Sequence, residues 1–262
     1  MTRMLASVAD VDEAQCLLAV GVDILDIKEP RRGALGAVDT RVVGAIVALV
    51  DGRVPVSATI GDLPMDAEVI HNAIMAMRAT GVDIIKVGVF APAITVPVLD
   101  LLRQQAAAGA RIVLVYFADR QPACEDPASL AGAGIQGVML DTADKLSGSL
   151  RAVVRDETLR DFVRRAQVYG LMTGLAGSLQ VRDIEPLLKI RPDYLGFRGA
   201  LCRNGWRQHA IDPQAARAVR TLIPRADISP ALAGGKRLKA EPIMPQLSPS
   251  AGKNDPVTGS LP

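Results

Sequence analysis

The chain has 262 residues, 49% of them hydrophobic and 22% charged, which excludes disorder over most of its length. Thirty Lys and Arg stand against 28 Asp and Glu, and aromatics make up 3%, so neither the basic excess nor the stacking platforms of a nucleic-acid-binding protein are present. No apolar run reaches the roughly 18 residues of a membrane span, and the N-terminus lacks a signal-like apolar stretch, so a cytoplasmic protein with no membrane partner is expected.

Runs of aliphatic and β-branched residues predict strands at Arg3–Ser7, Asp23–Lys28, Pro55–Ile60, Asp83–Gly88, Arg111–Tyr116, Gly137–Asp141, Gln167–Thr173 and Asp193–Arg198. A helical pattern follows each. Asp10 is placed to cap the first helix, with Glu13 completing a capping box and Gly21 stopping it. Val69, Ile70, Ala73, Ile74 and Met77 form one stripe of the third helix, with His71 beside it as a surface residue. Asp212-Pro213 opens the last helix. Eight strand–helix units in about 225 residues predict an α/β fold, a closed (β/α)8 TIM barrel over residues 1–224. The last 38 residues hold six of the 17 prolines and no periodicity, and residues 225–262 read as a flexible tail.

Cys16, Cys124 and Cys202 are isolated, and His71 and His209 are the only histidines. No metal-ligand spacing and no dinucleotide motif is present, so no metal and no cofactor are expected.

A weak internal repeat is more informative. Gly21-Val-Asp-Ile-Leu-Asp-Ile-Lys28, Gly81-Val-Asp-Ile-Ile-Lys-Val-Gly88, Gly134-Ile-Gln-Gly-Val-Met-Leu-Asp141 and Arg191-Pro-Asp-Tyr-Leu-Gly-Phe-Arg198 share one rhythm and fall on the even strands. Side chains two apart on a strand share a face, and barrel interiors stack in layers drawn from alternate strands. That register gathers Asp26, Lys28, Lys86, Asp141 and Arg198 at the C-terminal mouth. Lys145, four residues after Asp141, adds a third lysine. Without histidine or metal, lysine chemistry leads: neighbouring cations and burial bring an amine toward neutrality, and the aspartates move protons. Gly174, Gly177 and Ser178 after strand seven, with Arg198 and Gly199 after strand eight, form the loops that bind phosphate in many barrels. Gly33-Ala-Leu-Gly36 reads as a flexible turn beside the mouth. Three readings remain open on these residues: a Schiff-base sugar-phosphate aldolase, an isomerase or epimerase with Asp26 and Asp141 as acid and base, and a non-catalytic phosphate binder.

The motifs Asp26-Ile-Lys28-Glu-Pro30, Gly33-Ala-Leu-Gly36, Ser57-Ala-Thr-Ile-Gly-Asp62, Ile85-Lys86-Val-Gly88 and Leu140-Asp141-Thr142 with Lys145 are distinctive in combination. In them the chain resembles the (5-formylfuran-3-yl)methyl phosphate synthase family, over about residues 3–224. The resemblance implies a class I aldolase-like barrel, a carbon–oxygen lyase acting on phosphates. Its reaction would condense two glyceraldehyde 3-phosphate molecules into 4-(hydroxymethyl)-2-furancarboxaldehyde phosphate, releasing phosphate and water, for methanofuran-type cofactors of one-carbon metabolism. It further implies Lys28 as the Schiff-base lysine, Lys86 as proton acceptor, and Asp141 and Lys145 as their companions. The expected partner is thus a triose phosphate, with a homo-oligomer compatible with the chain.

Overall fold

A computed structural model of the chain describes residues 1–120, 124–145 and 148–224. The predicted tail, 225–262, lies outside the described residues. Eight parallel strands close into a barrel in chain order: β1 (Arg3–Val8), β2 (Ile24–Ile27), β3 (Val56–Thr59), β4 (Ile84–Val89), β5 (Ile112–Phe117), β6 (Gly137–Asp141), β7 (Met172–Leu175) and β8 (Tyr194–Phe197), with β8 pairing β1. Around them run α1 (Val11–Val20), α2 (Thr40–Val50), α3 (Ala67–Arg78), α4 (Val96–Ala107), α5 (Pro127–Gly132), α6 (Leu150–Val153), α7 (Asp156–Val168), α8 (Val181–Ile190) and α9 (Pro213–Leu222). No helix among the described residues is long and apolar enough to cross a membrane.

Seven strands fall within a residue of their expected ends. The seventh does not. Gln167 and Val168 end α7, and the strand begins at Met172. The apolar run Val168-Tyr-Gly-Leu-Met reads as strand, but Leu159, Val163 and Ala166 carry a buried helical stripe up to it. Gly170 then turns the chain at a φ of 74°.

The repeat has a structural meaning at its start as well as at its end. Its first positions, Gly21, Gly81, Gly134 and Arg191, all adopt left-handed backbone. Three of its four third positions receive a neighbouring strand: Asp23 accepts from Met4 N–H, Asp83 from Val56 N–H and Asp193 from Thr173 N–H, at 2.7 to 2.8 Å. Each aspartate thus ties the start of an even strand to the odd strand before it.

Two cores result from strand alternation. Outward side chains such as Ala6, Ile27, Ala58, Val87, Leu114 and Leu140 pack under the helices. Inside, Leu5, Ile24, Ile84, Val113, Met139 and Tyr194 fill the barrel below the mouth. The expected helix starts hold with one change. Asp10 accepts from Glu13 N–H, but the Glu13 carboxylate accepts from Ala9 N–H and reaches across to β8 instead of closing a capping box. In α3, Ile70, Ile74 and Met77 are buried while Val69 is exposed, and His71 meets Gln105 of α4. Asp212 caps α9, with Pro213 at its first position.

Candidate active site

The mouth at the C-terminal ends of the strands opens into a cleft of about 1160 Å³, lined among others by Asp26, Lys28, Asp141, Lys145, Gly177 and Ser178. Asp26 and Lys86 stand on β2 and β4; Lys28 directly follows β2, and Asp141 ends β6. The alternate-strand register therefore does bring the predicted charges together.

Asp26 is the hub. It is fully buried, and register sets it between Ser7 of β1 and Ser57 of β3. Ser7 Oγ donates to its Oδ2 at 2.8 Å and Ser57 Oγ to its Oδ1 at 2.7 Å. Lys86 Nζ lies 2.5 Å from the same Oδ1. Burial pushes the Asp26 carboxyl up, but the Lys86 and Lys28 charges and these hydrogen bonds outweigh it and hold the group below its ordinary range. Lys86 is 2% exposed and sits beneath Asp26, off the cleft wall.

Asp141 joins the other two lysines. Lys145 Nζ lies 2.5 Å from its Oδ1, and Lys28 Nζ lies 3.8 Å from its Oδ2. Thr142 N–H donates to Oδ1 as well. Burial opposes the charge on Asp141, and the Lys145 and Lys28 cations override it, leaving a firm carboxylate. Its Oδ2 is buried without a hydrogen-bond donor among the described residues. The acceptor nearest Lys28 is thus still open.

Lys28 is the perturbed amine. Burial lowers it most, Asp141 opposes, and the Lys145 and Lys86 charges add to the lowering, bringing it to about 8. Against an ordinary 10.5, the ratio of neutral to charged amine rises roughly 300-fold.

The phosphate-loop expectations divide. Gly177, Ser178 and Gly199 line the cleft, with Gly177 at φ 108° and Ser178 at φ 46°. A Cβ on Gly177 would stand 2.9 Å from Thr142, so only glycine lets this loop close on β6. Gly174 is different. It lies within β7 and does not line the cleft, and a Cβ there would meet the Tyr194 ring at 2.3 Å. Its absent side chain makes room for Tyr194, not for phosphate. The expectation for Arg198 also changes. Its Nε donates to Arg207 O, Nη1 to Ser7 O and Glu13, and Nη2 to Glu13 and His209 O. A guanidinium has five N–H donors, and all five are spent. Arg198 is a strut that ties β8 to Glu13 of α1 and to Ser7, which in turn holds Asp26.

The turn at Gly33–Gly36 is likewise less free than its glycines suggest. Asp62 accepts from Ala34 and Leu35 N–H, and Thr59 Oγ1 donates to Gly36 O. The β3 motif therefore pins the turn that follows Lys28.

The 4-HFC-P synthase family model matches residues 4–220. The chain belongs to the 4-HFC-P synthase family. A Methylorubrum extorquens protein provisionally named (5-formylfuran-3-yl)methyl phosphate synthase is 44% identical over 230 residues, covering 86% of this chain and 94% of that protein. The (5-formylfuran-3-yl)methyl phosphate synthase of Methanocaldococcus jannaschii is 34% identical over 84% of this chain and 98% of its own. A solved 3-hexulose-6-phosphate synthase superposes with a TM-score of 0.60 over 84% of this chain and all of its own, at 18% identity, which speaks for the fold alone. The family is one of synthases, so this 4-HFC-P synthase family member is an enzyme.

Ser7, Ser57 and Glu13 were not expected at the site. Ser57 opens one of the distinctive motifs, but only the register sets it and Ser7 on either side of Asp26. Glu13 is separated from Arg198 by 185 positions, and no local signal links them.

Proposed function

We propose that this enzyme condenses two molecules of glyceraldehyde 3-phosphate into 4-(hydroxymethyl)-2-furancarboxaldehyde phosphate through a Schiff base on Lys28. The atoms balance with loss of one phosphate and two waters. The observation that carries the reading is Lys28 itself: a buried amine brought to about 8, facing the open Oδ2 of Asp141. A neutral amine is the form that attacks an aldehyde. The nucleophile loses its proton to a nearby base as the carbinolamine forms, and Asp141 is within reach to accept it. Dehydration of the carbinolamine gives the imine, which acidifies the adjacent carbon for carbon–carbon bond formation.

Lys86 exchanges protons with the reacting carbons through Asp26, since Asp26 lines the cleft and Lys86 lies behind it. Ser7 and Ser57 fix the carboxylate between them. Lys145 keeps Asp141 ionised and helps to lower the titration of Lys28. Gly177, Ser178 and Gly199 give the phosphate-bearing end of the substrate a small-residue wall. Hydrolysis of the imine takes back the water lost in forming it and frees Lys28, while elimination of one phosphate and the net loss of two waters yield the aromatic ring. The reaction class is a carbon–oxygen lyase, and the furan serves methanofuran-type cofactors of one-carbon metabolism.

Incubation of the chain with glyceraldehyde 3-phosphate tests this. The expected product absorbs in the ultraviolet and has the mass of the furan phosphate. A non-absorbing six-carbon aldol would show instead an ordinary Schiff-base aldolase. Interconversion of triose phosphates with no borohydride-trapped adduct would show an isomerase.

A further inference from the structure

The cations that line the cleft are not equivalent. Lys28 and Lys145 share Asp141, and Arg198 has spent every donor. Arg207 lines the same cleft with one donor engaged, Nη2 to Gly33 O at 3.0 Å. Among the described residues no carboxylate lies within ion-pair distance of it, and four of its five N–H groups remain for a ligand. Burial and the Arg198 charge push the guanidinium below its ordinary value, opposed by the charges of Asp141, Asp62 and Glu29, yet an arginine stays charged. Arg182, also on the cleft wall, is exposed on the first turn of α8 and is not held in place by any side-chain partner among the described residues.

The backbone around Arg207 is built to hold it. The connection from β8 to α9 is closed by an antiparallel bridge between Cys202 and Ile211. Asn204 and Gly205 turn it with φ of 57° and 74°. The Arg207 carbonyl accepts from Arg198 Nε at 2.8 Å, so the strut that anchors β8 also fixes this segment. From there the side chain reaches across to the turn that follows Lys28.

We propose that Arg207 is the side chain that takes the phosphate of a bound triose phosphate, with Arg198 holding the segment that presents it. The inference rests on the function proposed above and assigns the charge in the cleft that recognises a phosphomonoester dianion. A guanidinium fork with four free donors suits two phosphate oxygens at once. The contact to Gly33 links that phosphate to the turn beside the nucleophile.

Inorganic phosphate is the probe, since its binding needs no turnover. The full chain and Arg207→Ala are compared by calorimetry with phosphate and by kinetics with glyceraldehyde 3-phosphate. Arg207→Ala is expected to weaken phosphate binding about 10- to 100-fold, in line with one charge-assisted bidentate contact. The KM is expected to rise by a similar factor, with kcat within about threefold. Borohydride trapping of unphosphorylated glyceraldehyde on Lys28 should be unchanged. Arg207→Gln, which keeps a donor for Gly33 O but no charge, should lose phosphate affinity as Arg207→Ala does, and Arg207→Lys should recover part of it. Phosphate affinity equal to the parent chain in both Ala and Gln variants overturns the proposal. So does a parent chain that binds no phosphate. Absence of a furan product, with phosphate binding lost only when Arg207 is changed, would instead remove the proposed reaction and leave the phosphate ligand standing.

Discussion

Lys145→Met removes a cation while keeping most of the side-chain length, and it tests how Lys28 is tuned. Lys145 and Lys28 sit on the two oxygens of one carboxylate, at 2.5 and 3.8 Å, so their nitrogens are no more than about 8.5 Å apart. At an effective dielectric of about 20, two like charges at that distance repel by roughly 2 kcal/mol. That corresponds to about 1.4 pH units. Without Lys145, Lys28 should titrate near 9.4 instead of about 8. The sign is set by the reacting form: the neutral amine attacks, so activity falls below the amine's titration point. At pH 7 kcat/KM should drop about 25-fold, and near pH 10 it should come within about twofold of the parent. Lys145→Arg keeps the cation and should leave the acid limb near 8. The assay is the pH profile of kcat/KM by furan absorbance. An acid limb still at about 8 in Lys145→Met, with the rate reduced equally at every pH, would refute the electrostatic role.

Three further variants separate chemistry from architecture. Lys28→Arg keeps a charge but cannot form the imine, so borohydride trapping and turnover should vanish together; Lys86→Arg should cut turnover at least 100-fold while trapping on Lys28 persists, read by peptide mass spectrometry. Arg198→Ala leaves the partly buried Glu13 without its ion-pair partner, a change that costs at most about 3–5 kcal/mol. Its melting temperature should fall by roughly 6–15 °C, and an unchanged melt with a raised KM would return Arg198 to the phosphate.

The barrel and the charge cluster were legible because both follow from period two. Alternation sorts each strand into a helix face and a barrel face, and the repeat aligns Asp26 with Lys86 at its sixth position and, two residues on along the same face, Lys28 with Asp141 at its eighth. What escaped was long-range partnership. Ser7 and Ser57 are ordinary strand serines until pairing with β2 puts them against Asp26. Arg198 has a charge and a strand-end position that suit phosphate equally well. Only the fold reveals Glu13 and three carbonyls around it. Gly174 illustrates the same limit from the other side. A glycine near a loop reads as a ligand cradle, whereas the ring it accommodates comes from a strand twenty residues later.

Charge counting in the cluster gives one more expectation. Lys86 is matched by Asp26 and Lys145 by Asp141. Lys28 is the surplus cation, and the group of five is neutral only when Lys28 has lost its proton. A lysine whose titration is depressed in the fold destabilises the folded state while it is charged. That cost is fully present below about pH 8 and fades as pH rises toward 10.5, where the amine is neutral in both states. Its size at pH 7 is about 3 kcal/mol. Lys28→Met should therefore abolish turnover and yet melt several degrees higher than the parent chain at pH 7, with the gain shrinking toward zero near pH 10.5. Melting curves across that range check it. A Lys28→Met chain less stable than the parent at pH 7 would mean that Asp141 needs Lys28 as a partner and that the surplus charge is no burden to the fold.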